Sequence, residues 1–323
     1  MKMLRYIGMR ILGLIGVVLV ISLITFMLMH ATPGGPWDSG KFPLTGPARD
    51  NMLHLYGLDK PLIEQYLIYI RNAARLDFGI PYTAPEQTVL EVFGRTWPVS
   101  LQLAGYTMLI YFPLGIGLGI LSAVKRGTWI DYLVTVVSLI GILIPSFVLA
   151  YAFIMIFGVG FDWLPIMGWN DSREWLIPGV INKTWIMPVT IWGMSIMAGL
   201  ARYTRTAVIE VMSSDYVRTA RAKGLPGRLV LWRHIMRNAM LPIIAVAIPM
   251  IPGIITGNSW LEKIFGIPGI GRYFLDSVLN RDYVMIMAVM LTWSFLLSLF
   301  NLIADLMYGL VDPRVRLTGR QSK

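Results

Sequence analysis

The chain contains no cysteine, so disulfide bridges and thiolate metal sites are excluded. Histidine is almost as scarce: His30, His54 and His234 lie far apart and form no group with metal-ligand spacing. Charge is short as well, with Asp, Glu, Lys and Arg at 14% of residues, against roughly 25% in a typical soluble domain. No phosphate loop ending in Gly-Lys-Ser/Thr is present, and no His-Glu-x-x-His zinc motif. The apolar runs hold no carboxylate pair and no Ser/His/Asp set. The chain is therefore expected not to be an enzyme, with no catalytic residue, metal or cofactor of its own. Gly266-Ile267-Pro268-Gly269-Ile270-Gly271 is glycine-rich, but it lacks the strand–turn–helix setting of a dinucleotide site and reads as a re-entrant or lid-like turn.

What the chain has in quantity is apolar side chains, at 56% of residues. Several charge-free runs exceed the ~18–20 residues that cross a bilayer core. The fold class that follows is an all-α polytopic membrane protein in the lipid bilayer. Alternating ~10-residue strands of an outer-membrane barrel are not seen. The net charge of +10 does not point to nucleic acid, because the basic residues sit in short loops beside apolar runs.

Six spans are expected: 11–29, 99–123, 132–161, 185–201, 239–260 and 283–308. A cleaved signal peptide also opens with a basic end and an apolar run, but that run is ~7–15 residues with small residues at the cut. Here the run is longer and ends in Met-His-Ala-Thr-Pro-Gly-Gly. Residues 30–98 are water-soluble in character and read as an outer segment, opening on the turn Pro33-Gly34-Gly35-Pro36, with a short helix Leu62 to Leu76. The second span is expected to be interrupted by Pro113, Gly115, Gly117 and Gly119, and the third holds Gly141 and Pro145. In the loop between the third and fourth spans, Trp163, Trp169, Trp175 and Trp185 suit the membrane interface. Residues 261–282 form another outer segment, and the tail Asp312-Pro313-Arg314-Val315-Arg316 is basic. With both termini cytoplasmic, inner segments carry 17 of the Lys/Arg and the much longer outer segments 11, as the positive-inside rule asks.

The spans lack buried ionisable residues apart from Asp305, near the inner end of the last. Ion-coupled carriers place such residues mid-membrane, so an ATPase-independent secondary carrier is disfavoured. Pro242, Pro249, Pro252, Gly253 and Gly257 make the fifth span unable to form one straight, fully bonded helix. Broken backbone at that depth is tolerated where it packs in protein or lines a wet cavity. Either packing kinks or a pathway lining formed by Pro249, Pro252, Gly253, Gly257 and Asn258 accounts for this composition. Ser195 and Ser259 add candidate polar contacts.

The single long basic stretch is 215–242, DYVRTARAKGLPGRLVLWRHIMRNAMLP, within and just beyond the inner loop 202–238. It carries Arg218, Arg221, Lys223, Arg228, Arg233 and Arg237 against one acid, Asp215. Val217, Ala220 and Gly224 recur at i, i+3 and i+7, so a helix here has one face of small residues on which another protein could sit. A solvated loop that only sets topology fits the residues equally well.

Ordered matches along the chain favour the first reading. LRYIGMRILGLIGVVLVISLITFMLMHATPGGP, YGLDKPLIEQYLIYI, DYVRTARAKGL with RHIMRNAMLPII, EKIFGIPGIGRYFLDSVLNRDY and LVDPRVR resemble, in order, segments of bacterial ABC importer permeases of the oligopeptide/dipeptide/nickel branch, in their B-type subunit. In the wider class the loop motif begins Glu-Ala-Ala, with a glycine four residues after the second alanine. Here Ala220 and Gly224 fit, while Arg218 and Thr219 replace the first two positions. The longer distance from Gly224 to Pro242 is shared by the peptide branch. The resemblance implies a type I importer-like permease in the cytoplasmic membrane of a prokaryote. It further implies a second, similar permease subunit, two cytoplasmic ATPases that carry the ATP and Mg, and an external binding protein. Asp215, Tyr216, Val217, Arg218, Ala220, Arg221, Ala222 and Gly224 would form the ATPase-coupling helix and its end. Peptide is the implied substrate, with nickel chelates and oligosaccharides as alternatives within the branch.

Overall fold

The structure is a computed structural model that describes residues 2–32, 46–177 and 179–311. The turn Pro33–Pro36 and the basic tail 312–316 lie outside the described residues, as does the side chain of Asp305. The helices in chain order are α1 (Lys2–Ala31), α2 (Pro47–Leu55), α3 (Leu62–Ala73), α4 (Val89–Val124), α5 (Trp129–Leu143) and α6 (Ser146–Phe153). After a short hairpin come α7 (Lys183–Met212), α8 (Asp215–Ala222), the single turn α9 (Gly227–Leu229), α10 (Arg237–Ile255), α11 (Ser259–Ile264), α12 (Ile270–Leu279) and α13 (Tyr283–Val311). Two π-helical turns, Ile154–Gly160 and Val230–Met236, continue α6 and precede α10. Among the described residues five helices are long and apolar enough to cross a membrane, and the bent pair α5/α6 makes a sixth. The all-α polytopic class expected from composition is therefore what the chain adopts.

α4 and α7 each extend well beyond their expected apolar runs. α4 starts ahead of the expected 99, because Thr88 and Glu91 form a reciprocal capping box: the Thr88 amide donates to Glu91 Oε2 at 2.7 Å and the Glu91 amide to Thr88 Oγ1 at 3.3 Å. α7 runs on past Ala201 to Met212, so the loop expected from 202 begins as helix. The third span is not one straight rod. Ile144 is extended (φ −87°, ψ 121°) before Pro145, as the proline ring demands, and the two halves bend by 104°.

The chain divides into two compact units. The first comprises 1–100 and 268–305, and here Val89, Val92, Phe93, Ile270, Met285, Ala288 and Val289 form the core. Asp282, fully buried, accepts from the Thr83 amide (2.9 Å) and Thr83 Oγ1 (2.8 Å), which anchors the loop before α4 to the start of α13. A second cluster, Phe26, Met29, Ile286 and Met287, joins α1 to α13, with Tyr66 of α3 packed against it.

The second unit, 101–267 with 306–311 among the described residues, is built around α7, whose apolar window is 72% buried. The glycines of α4 do not interrupt the helix, contrary to expectation. A Cβ on Gly115 would lie 2.9 Å from Met197 O, and one on Gly119 2.6 Å from Ala201 O, so these two residues, four apart, let α4 lie against the α7 backbone. Gly117 faces the other way, and a Cβ added there would meet nothing within 4 Å. Gly141 of α5 makes the same close approach, 2.8 Å from Met194 O. The tryptophan-rich loop also differs from its interfacial reading. Trp185 is buried and stacks on Tyr106 at 4.3 Å, while Trp169 and Trp175 pack around it; Trp163 alone of the four is exposed. Asn182, also buried, accepts from the Thr184 amide and caps α7 under this cluster.

The contrast between neighbouring glycines is testable. Gly119→Ala is expected to cost about 1–3 kcal/mol by overpacking against backbone, whereas Gly117→Ala, a better helix former in open space, is expected to be neutral or stabilising by up to ~1 kcal/mol. Thermal unfolding of the purified variants in detergent reads the difference.

Candidate ATPase-coupling surface

The basic stretch folds as a compact bracket at one end of α7. Ser213 and Ser214 turn the chain, with Ser214 Oγ donating to Val211 O at 2.6 Å, and α8 then occupies Asp215–Ala222. The sequence favours this short helix at both ends. Asp215 in its first turn and Arg221 in its last complement the helix dipole. The far end closes with two bonds: the Gly224 amide donates to Arg221 O (2.9 Å) and the Leu225 amide to Ala220 O (3.4 Å). This is a Schellman ending, which needs a left-handed residue, and Gly224 takes φ +74° there. The glycine of the loop motif is thus accounted for by backbone geometry rather than by close contact, since nothing lies within 4 Å of where its Cβ would be.

The small-residue face is where the sequence reading needs correction. Val217 is 0% exposed and Ala220 5%, and both lie in the chain's own core with Ala207, Val208, Val230 and Met236. They hold α8 to α7 and to the π-helical turn, so they are not available to a partner. The surface presented outward is the opposite face: Tyr216 at 44% exposure, with Asp215, Arg218, Arg221 and Ala222 beside it. Arg218 Nη2 lies 3.4 Å from Asp215 Oδ1, a solvent-exposed pair that contributes little. Arg221, Lys223, Arg228, Arg233 and Arg237 are exposed and have no ion-pair partner among the described residues. Trp232, 57% exposed on the π-helical turn, adds a second aromatic side chain to this cationic surface.

An interaction the sequence reading missed braces the bracket from the side. Asp131, at the start of α5, is buried and takes a two-pronged contact from Arg205 of α7: Nε to Oδ1 at 2.7 Å and Nη2 to Oδ2 at 2.9 Å. Ser122 Oγ donates to Oδ1 at 2.5 Å and the Gly127 amide to Oδ2 at 3.0 Å. Each carboxylate oxygen therefore has two donors, which offsets its desolvation. In the sequence Arg205 reads only as one more loop charge. The available signal is that a lone acid opens an apolar run while two arginines, Arg202 and Arg205, follow one within a turn of its end.

The expected pathway residues do not share one arrangement. α10 is continuous through Pro242, Pro249 and Pro252, so the broken fifth span is corrected to a helix whose ladder lacks those three donors. The interruption comes later, at Gly257 (φ +83°) and Asn258. Asn258 Oδ1 accepts from the Leu261 amide at 3.2 Å as the cap of α11. Pro249 and Gly253 are exposed, Pro252 is buried, and Gly257, Ser195 and Ser259 are half-buried. The sharpest backbone break in a span is instead the bend at Ile144–Pro145.

No group of three or more His, Cys, Asp or Glu able to hold a metal occurs among the described residues. Outside the spans, the Arg173 guanidinium holds the Asp171 carboxyl below its ordinary pKa, in a loop pair whose arginine is exposed and whose aspartate is half-buried.

Several long apolar helices, one of them the buried α7 with a cationic helix-and-turn surface at its end, define a polytopic membrane protein. Comparison with known families agrees: residues 115–317 match the binding-protein-dependent transport system inner membrane component, and residues 3–104 match the N-terminal region of such membrane components. The chain belongs to this family of binding-protein-dependent transport permeases. It is 36% identical over 314 residues to the oligopeptide transport system permease protein of Salmonella typhimurium, covering 97% of this chain and all of that one. It is 35% identical over 315 residues to the dipeptide transport system permease protein of Bacillus subtilis, covering 98% and 99%. The dipeptide transport system permease protein of Lactococcus lactis is 36% identical over 315 residues, 98% of this chain and all of that one.

Breaking one side of the buried pair should be costly. Arg205→Met is expected to destabilise by about 3–5 kcal/mol, because Asp131 is left charged and unpaired, while the double variant Asp131→Leu/Arg205→Met should lose less. Thermal unfolding of both variants beside the unaltered chain distinguishes an ion pair from simple packing.

Proposed function

We propose that this chain is one of two membrane subunits of an ATP-driven importer that carries peptides handed to it by an external binding protein. The observation that carries the reading is similarity over essentially the whole chain to permeases named for oligopeptide and dipeptide transport. In this account the chain lies in the inner membrane of a prokaryote with both ends cytoplasmic. ATP and Mg are held by two separate ATPase chains, and a second, similar permease completes the pathway.

The outward face of α8 docks into a groove on one ATPase. Tyr216 supplies apolar contact, and Arg218 and Arg221 pair with acids on the partner. Val217 and Ala220 act from below: because they tie α8 to α7, a push on the helix moves α7 and the helices packed on it as one body. A short helix secured at both ends suits that task, since it transmits displacement without melting.

Gentle affinity purification from membranes is expected to recover a second permease and two nucleotide-binding ATPases. Recovery of the chain alone, with full transport in ATP-free vesicles, would contradict the proposal. Arg221→Glu is expected to lower ATPase recovery several-fold at physiological salt while leaving membrane insertion intact. Unchanged recovery would remove the pairing role.

A further inference from the structure

In the first unit, α3 lies in a segment whose composition suits water, yet its contacts set it deep against a span. α1 is long and apolar enough to cross a membrane over Gly8–Ala31, which puts Leu19 and Ser22 near the middle of the crossing. The Tyr66 hydroxyl of α3 reaches that point: it donates to Leu19 O at 3.2 Å and lies 2.9 Å from Ser22 Oγ. The Tyr66 ring also packs on Phe26, with centroids 5.4 Å apart. Ser22 is 1% exposed beneath this cover, although only 11% of the α1 window is buried. A tyrosine side chain cannot reach across half of a ~30 Å hydrocarbon core, so the α3 backbone at Tyr66 is itself inside that core.

From Tyr66 the helix climbs toward the membrane boundary. His30 of α1 and Tyr283 of α13, with ring centroids 5.3 Å apart, mark that boundary, because one span ends and the other begins there. Ala73, at the end of α3, packs with Phe78 and Ile270, which come from segments that connect the spans.

The two flanks of α3 differ in chemistry. Lys60, Gln65, Ile68 and Asn72 line an open cavity of about 500 Å³. Lys60 is also paired with Glu64 at 3.0 Å. Charged groups at membrane depth are tolerated where they pair and face such a cavity. On the other flank Ile63 is 74% exposed and Leu67 61%, at i and i+4, with half-buried Ile70 at i+7. That flank holds only large aliphatic side chains, whereas helix–helix contacts in a membrane favour small ones. Arg71 and Arg75 are exposed toward the boundary, where long cationic side chains extend to the headgroups.

We propose that α3 is a re-entrant helix whose Ile63–Leu67–Ile70 flank is a contact surface for lipid acyl chains. The chain enters the core after α1, lies against α1 through Tyr66 and returns to the side it came from. Its cavity flank meets water and its aliphatic flank meets lipid. The inference rests on α1 crossing the membrane and not on the peptide reading.

The test uses single-cysteine variants, since the chain has no native cysteine. Ile63→Cys, Leu67→Cys and Asn72→Cys are labelled with bimane in nanodiscs, in the complex as purified with cysteines of its other subunits replaced, or in the full chain if it purifies alone. Bimane at 63 and 67 is expected to lose about half or more of its emission when the lipids are brominated at mid-chain, and little with aqueous iodide, as placement in the core requires. At 72, on the cavity flank, iodide is expected to be the stronger quencher. Strong iodide quenching at 63 and 67 would put α3 in water, and protection there from both quenchers would put another subunit on the flank. Either result, or equal quenching by brominated lipid at 67 and 72, would overturn the proposal whether or not the chain transports peptides.

Discussion

Close backbone approach to α7 is the constraint on which the second unit depends. Inside a bilayer the hydrophobic effect gives helices no reason to associate, so van der Waals contact and polar bonds must hold them. Gly115, Gly119 and Gly141 bring two helices against the α7 main chain, and Tyr111 lies over Gly193, whose Cβ would fall 2.0 Å from its ring. The bidentate Asp131–Arg205 contact then sets how far α7 can slide along α5. With α7 fixed in this way, its carboxyl end becomes a defined platform for α8.

That platform explains why a segment so rich in cations is ordered. Six basic residues on a short water-exposed stretch repel one another and would favour an open loop. Burial of Val217 and Ala220 against Val208, Val230 and Met236, with glycine at the one position that needs a left-handed backbone, offsets the repulsion. The same arrangement separates two tasks by face. Small residues look inward and carry mechanical connection; aromatic and cationic residues look outward and carry recognition.

Much of this is legible in the residues alone. Apolar run length marks the spans, because a bilayer demands ~20 apolar residues. The helix at Asp215–Ala222 is implied by the resemblance to the permease family, and the fold has a helix with those bounds. The direction of its small face is not legible: i, i+3 spacing groups Val217 with Ala220 but cannot say whether that face meets another protein or the same chain. Proline is a poor guide in α10, where three prolines sit in a continuous helix, and a better one at Pro145, where the residue before it could not stay helical. Ion pairs such as Asp131–Arg205 join residues that are far apart in sequence, and composition alone does not reveal them. The start of α4 is written in Thr88 and Glu91 as a capping box, but it lies in a segment of water-soluble character.

The absence of native cysteine makes the central claim directly measurable. Single-cysteine variants Tyr216→Cys and Val217→Cys, in inside-out membrane vesicles, can be labelled with a membrane-impermeant maleimide with and without the ATPases bound. The account predicts rapid labelling at 216 that the ATPases block, and no labelling at 217 in either state. Labelling at 217 as fast as at 216, or labelling at 216 that bound ATPases leave unchanged, would contradict it.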